Sequence, residues 1–325
     1  MSSYLEFFKK RGALILGFIL VVALVVGYQL HARASKTPAI PSAIDRGERK
    51  EPLISVYIEE EDLVREMPME DYVAGVVAGE MDPDWPLEAL AAQAILARTF
   101  TLQKIDESGG VPERNAHAST DIEEFQAYSA EKVNAKVKEA VRLTRGLAAC
   151  YRNEFIRAWF HAYAGPRTAL ANEGLAYKFN PPYICSVEGL GKNIISEEEG
   201  NWSAIFDLEE VRNAVQETTG VDPGDINVVK IAKYGPSGRA ATILVNNQKI
   251  SGPAFRLALG STEMRSTLIE RMELNEGCLQ MSGTGYGHGV GLCQWGARAM
   301  AAEGKPPEEI VEYFYKNVHL VSLWD

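Results

Sequence analysis

Between residues 282 and 304 the chain reads SGTGYGHGVGLCQWGARAMAAEG, with glycine at 283, 285, 287, 289 and 291 and one histidine, His288, among them. A flexible linker would be rich in serine and polar residues, whereas Tyr286, Val290, Leu292 and Trp295 interrupt this run. A phosphate-binding loop ends in Gly-Lys-Ser/Thr, and a dinucleotide fingerprint needs an acidic residue about 20 positions later. Neither is present. Alternation at period two predicts an extended strand with one face free of side chains, open to another backbone or a flat ligand.

The 325 residues are 46% hydrophobic and 24% charged, which suits a globular protein of one large domain or two smaller ones. Lys and Arg number 33 against 44 Asp and Glu, and the net charge of -11 argues against nucleic acid as a partner. Lys9, Lys10 and Arg11 precede an uncharged apolar run from Gly12 to Leu30, long enough to cross a bilayer with its basic flank inside. The run exceeds a usual signal-peptide core, which predicts a cytoplasmic flank and uncleaved single-pass anchor over 1–30 in the cell membrane. Ala32-Arg33-Ala34 is the competing cleavage site. Either reading places the C-terminal domain outside the cytoplasm. Residues 31–52 mix proline, small and charged residues without periodicity and read as a linker. Cys150, Cys185, Cys278 and Cys293 lack C-x-x-C spacing, so no zinc ribbon or thioredoxin-like site is indicated, and the three possible disulfide pairings stay open.

From 53 to 325 the pattern is that of a mixed α+β, enzyme-like single domain. LISVYI reads as a first strand, and PMEDYVAGVVAGEM as a helix beginning at Pro68 with Tyr72, Val73, Val76, Val77 and Glu80 on one face. PDWPLEALAAQAILARTFTLQKI predicts a second helix with Asp84 as N-cap. A third helix is expected from about Glu131 to Gly146, and strand-like text follows in LAACYRNEFIRAWFHAYAG. FDLEEVRNAVQET reads as helix, INVVKIAKYGPSGRAATILVNNQKIS as two strands joined by a Gly-Pro-Ser-Gly turn, GPAFRLALG as a short helix, and PPEEIVEYFYKNV as a final amphipathic helix.

Glu80 occupies the end of a helix where its face calls for an apolar side chain. Burial and the negative helix end both raise a carboxyl pKa, as a general acid requires. Arg98 lies among small and apolar neighbours and needs a partner: a structural ion pair, a substrate, or the Glu80 carboxyl. Gln93 falls one turn earlier on a similar face. His288, followed by Gln294 and Trp295, borders the glycine face, where a sugar ring would stack. Gln126 and Tyr128 form a second amide and aromatic pair of that kind.

The stretches MEDYVAGVVAGEM, ALAAQAILARTF, TDIEEFQAYS, FHAYAGPRT, PYICSVEG, SGRAATILV, FRLALGSTEMRS and GTGYGHGVGLCQWGARAMAAEG, in this order, resemble the stage II sporulation protein D family, the SpoIID/LytB domain. The resemblance implies a lytic transglycosylase of the cell wall, acting in sporulation on peptidoglycan glycan strands stripped of stem peptides by a partner amidase during engulfment. It implies Glu80 as the catalytic acid/base, an amidase and the membrane scaffold of the engulfment complex as partners, and no cofactor. Two places depart from the family's pattern: Ala164-Gly165-Pro166-Arg167-Thr168 replaces Ser-Gly-Gly before a threonine, and Cys293 and Trp295 stand where serine and tyrosine are common. A second reading is a non-catalytic glycan-binding or scaffolding subunit that activates an amidase. A third, a metal-dependent hydrolase using His161, His288 and cysteines, lacks any ligand pair at i, i+3 or i, i+4.

Overall fold

The computed structural model describes residues 37–275 and 277–325. The anchor expected at 1–30 lies outside these residues, and among the described residues no helix is long and apolar enough to cross a membrane. The α+β class is met by seven helices of more than one turn and five small sheets among the described residues. The helices are α1 (Met69–Glu80), α2 (Leu87–Ser108), α3 (Ala135–Leu143), α4 (Leu208–Thr219), α5 (Gly252–Ala258), α6 (Gln294–Ala302) and α7 (Pro307–Phe314).

Buried apolar residues gather into two cores rather than one. The first is built around α2, whose Leu90, Ile95, Leu96 and Leu102 and whose alanines are buried on nearly every side, with α1, α3, α6 and α7 packed about it. A helix apolar all round belongs in a protein interior. The second core, from Trp202 to Met281, fills the space between α4, α5 and two antiparallel three-stranded sheets. One sheet orders Ile269–Asn275, Cys278–Thr284 and Asn201–Asp207; the other orders Gln248–Ser251, Ala240–Val245 and Val229–Tyr234. The chain returns to the first core at Val290. The expected linker is already packed in its second half: Ile44 is buried in the first core, and Arg49 pairs with Asp325.

Several expected boundaries move for local reasons. Pro86, not Asp84, stands at the start of α2, while Asn134 and Lys136 donate to Asp84. The third helix begins at Ala135, because the Asn134 side chain accepts from the Val137 N–H at 2.9 Å and caps it. The expected pair of strands is a triplet, since the chain turns again at Asn246 and returns as Gln248–Ser251. Strands Leu63–Pro68 and His319–Ser322 carry no alternation strong enough to have been read.

The glycine run corrects the expectation of an extended strand. The strand ends at Thr284, and Gly285, Gly287, Gly289 and Gly291 all take positive φ, from 73° to 98°. Alternate residues of this loop lie in a region that L side chains rarely enter, and period two in sequence looks the same for it as for a strand. Its bare positions face protein, not solvent. A Cβ on Gly289 would lie 2.4 Å from the Arg239 guanidinium, and one on Gly291 2.0 Å from the Trp159 carbonyl oxygen. The loop is sewn to residues 159–169: Tyr163 and Tyr286 exchange backbone hydrogen bonds, and Ala169 N–H donates to Gly289 O at 2.7 Å.

Candidate active site

Glu80 is the last residue of α1, and two glycines place it. A Cβ on Gly75 would lie 2.1 Å from the Tyr128 ring, and one on Gly79 2.6 Å from the Tyr128 backbone nitrogen. Only the missing side chains let residues 126–129 lie against the helix. The Ala127 N–H consequently reaches Glu80 Oε1 at 2.8 Å. Burial raises the Glu80 pKa to about 7, outweighing the Ala127 N–H and the Gln294 side chain, which favour the charged form. Gln294 faces that carboxyl without a hydrogen bond of normal geometry at its own Nε2.

Glu80 lines an open cleft of about 790 Å³. Of the residues expected at the site, Gln126, His288 and Gln294 line the same cleft. Val290 N–H donates to His288 Nδ1 at 3.0 Å, so this imidazole carries its proton on Nε2. The ring keeps part of its surface open to the cleft, yet surrounding protein, then Arg256 and Arg239, push its pKa down to about 3. It is a neutral hydrogen-bonding group, not a cation. Gln126 is 3% exposed; its Nε2 donates to Thr101 Oγ1 at 3.2 Å and its Oε1 has no partner.

Four expected residues sit elsewhere. Arg98 is a correction: both its Nε and Nη2 donate to the carboxylate of Glu70, not Glu80, and its Nη1 donates to the Leu147 carbonyl at 2.8 Å. Glu70 also accepts from Gly146 N–H at 3.0 Å and from Trp324 Nε1 at 2.8 Å, so the pair rivets α1, α2, the Leu147 strand and the C-terminus. The ring of Tyr128 stacks on Tyr72 at 5.7 Å and fills the space over Gly75. Trp295 packs edge-on to Trp85 at 4.9 Å under the Arg298 guanidinium, away from the cleft. Gln93 is fully buried in α2 with neither amide atom partnered and does not line the cleft.

Other lining residues were not selected from sequence. Trp159 and Phe160, both half-buried, offer aromatic surface, and Tyr286 and Arg256 complete the wall beyond His288. His161, weighed only as a metal ligand, is 4% exposed; its Nδ1 lies 3.1 Å from the Val290 carbonyl and its Nε2 has no partner. Burial, then His288 and Arg239, hold its pKa well below the usual imidazole range. Among the described residues no group of three or more His, Cys, Asp or Glu side chains is arranged to hold a metal ion. The four cysteines are free; Cys293 caps α6 in serine's place, its sulfur accepting from Gly296 N–H at 3.4 Å and Ala164 N–H at 3.3 Å. The departing loop at 164–168 is held by Arg239, whose Nη2 and Nη1 donate to the carbonyls of Ala164 and Arg167.

Residues 57–151 match a family described as stage II sporulation protein, and residues 191–291, largely the second core, match a domain of unknown function. The chain is 31% identical over 281 residues to stage II sporulation protein D of Bacillus subtilis, covering 82% of this chain and 78% of that protein. An uncharacterized protein of Brachyspira hyodysenteriae is 32% identical over 261 residues, 80% of this chain and 68% of its own. The amidase enhancer of Bacillus subtilis is 26% identical over 76% of this chain but only 40% of its own length. Identity of 31% over 82% of its length, together with the family match at residues 57–151, makes the chain a member of the stage II sporulation protein D family.

Proposed function

We propose that the protein is a lytic transglycosylase held at the outer face of the cell membrane by its N-terminal segment, cleaving peptidoglycan glycan strands freed of stem peptides. The observation that carries this reading is the Glu80 carboxyl, kept protonated to about pH 7 at an open cleft. Half-buried Trp159 and Phe160 supply apolar surface for sugar rings, and His288, Gln126 and Gln294 supply uncharged hydrogen-bonding groups for hydroxyls and acetamides.

In this mechanism Glu80 gives its proton to the glycosidic oxygen as the bond from C1 of N-acetylmuramic acid breaks. The 6-hydroxyl of the same sugar then adds to C1, and the Glu80 carboxylate takes the hydroxyl proton. A 1,6-anhydro end forms, the acid is regenerated and no water is consumed. One carboxyl serves both half-reactions, unlike the paired carboxylates of ordinary glycosidases. The other carboxylate lining the cleft, Glu123, is exposed.

Similarity to a protein named amidase enhancer favours a second reading, in which the cleft binds glycan and activates a cell-wall amidase without cutting. Glu80→Gln separates the two. The amide keeps shape but moves no proton, so the transglycosylase reading expects retained glycan binding with cleavage reduced about 100- to 10,000-fold. Amidase stimulation by the wild type with no cleavage of glycan by itself would establish the second reading.

A further inference from the structure

We propose that Arg256 recognises a carboxylate on the bound glycan, so that the cleft selects strands whose muramic acid lactyl group is a free acid over strands in which that group is an amide. The proposal rests on the glycan-cleaving reading above and adds to it a residue that sets specificity.

Arg256 lies on α5, which belongs to the second core, and reaches the cleft wall that the first core completes with Glu80. Its Nε donates to the Arg265 carbonyl at 3.0 Å and its Nη2 to the Ser261 carbonyl at 3.1 Å. These two bonds fix the plane of the guanidinium, and Nη1 has no acceptor among the described residues. Among the described residues no carboxylate pairs with it, and Tyr286 alone favours its charge against burial. Arg98 makes the contrast: that guanidinium is fully buried and Glu70 answers it, whereas half-buried Arg256 has no such partner. A cation withdrawn from water without a counter-ion is unfavourable, and a ligand anion relieves the cost.

Arg239 stands behind the same wall. Its hydrogen bonds go to neutral oxygens, the carbonyls of Ala164 and Arg167 and the Ser237 hydroxyl, but the buried Glu173 carboxylate nearby favours its charge. Both guanidiniums act on His288. Arg256, which no carboxylate answers, therefore leaves this part of the cleft wall positive in a chain whose net charge is -11, and a recessed charge attracts an oppositely charged ligand. Glycan strands offer one anionic group for it, the lactyl carboxylate, which a stem peptide converts to a neutral amide.

The test uses the full-length protein in detergent with two sets of strands, one with free lactyl carboxylates and one with the same carboxylates converted to methylamides. A charge-assisted hydrogen bond at this site is expected to favour the free acid by about 10- to 100-fold in kcat/KM and in affinity. Arg256→Gln should bring that ratio close to one, mainly through KM, and Arg256→Lys should keep part of it. Equal affinity of the wild type for the two sets overturns the proposal without any variant, and so does an Arg256→Gln protein that keeps the wild-type ratio. If the wild type cuts neither set, the transglycosylase reading fails, and the two affinities still decide the role of Arg256.

Discussion

Replacing Glu80 by glutamine is expected to remove activity and, at neutral pH and above, to raise stability. The carboxyl pKa is lifted from 4.5 to about 7 by burial. At about 1.4 kcal/mol per pH unit this is a ceiling of about 3 kcal/mol, and water in the cleft lowers the expected effect to roughly 1–3 kcal/mol. Because the folded state binds the proton more tightly than the unfolded state, the associated stability is complete below the unfolded pKa of about 4.5 and is lost as pH rises to about 7. Glutamine does not titrate, so the variant escapes this loss. Guanidinium unfolding of both proteins at about pH 4.5 and about pH 8 measures it: the variant's advantage should be larger at the higher pH by roughly 1–3 kcal/mol. An advantage equal at the two pH values would show Glu80 to be an ordinary exposed carboxylate and refute the reasoning that makes it a general acid.

Turnover by the wild type should fall as pH rises above about 7, where Glu80 loses the proton it must donate; a pH–rate profile flat to about pH 9 contradicts this. Arg98→Met leaves Glu70 buried without its cation and should cost about 3–5 kcal/mol by denaturant unfolding, with the pH profile of residual activity unshifted. A shifted profile would instead tie Arg98 to Glu80. Gly79→Ala pushes residues 127 and 128 from α1, and a loss of about 1–3 kcal/mol by thermal unfolding should accompany reduced turnover. Treatment with a chelator should leave cleavage unchanged, since the proposed chemistry moves only protons; activity lost to chelator and restored by zinc would return the metal-dependent reading.

What could be read beforehand follows from which signals are local. Glu80 stood out because a charged residue interrupts an apolar helical face at a helix end, and both features lie within twelve residues. The partner of Arg98 was not legible: Glu70 lies 28 positions earlier in an acidic first turn that looks solvent-exposed, and it is buried only because Gly146 and Trp324 close over it. Gly75 and Gly79 passed as ordinary helix residues, since their use depends on Tyr128 arriving from another segment. The glycine run has the same period two whether its backbone is an extended strand or a loop with every second residue at positive φ, so spacing alone does not separate them. Arg256 escaped because the absence of a counter-ion is a property of space, not of spacing.

The most direct measurement concerns the atoms of the product. Digesting peptide-free glycan with the wild type in water enriched in oxygen-18, then examining the chain ends by mass spectrometry, distinguishes internal attack by the 6-hydroxyl from attack by water. Internal attack gives anhydromuramic ends without the heavy isotope, absent from the Glu80→Gln digest. Reducing ends carrying oxygen-18 would mean hydrolysis, with a second carboxylate such as Glu123 at work, and would contradict the single-carboxyl mechanism.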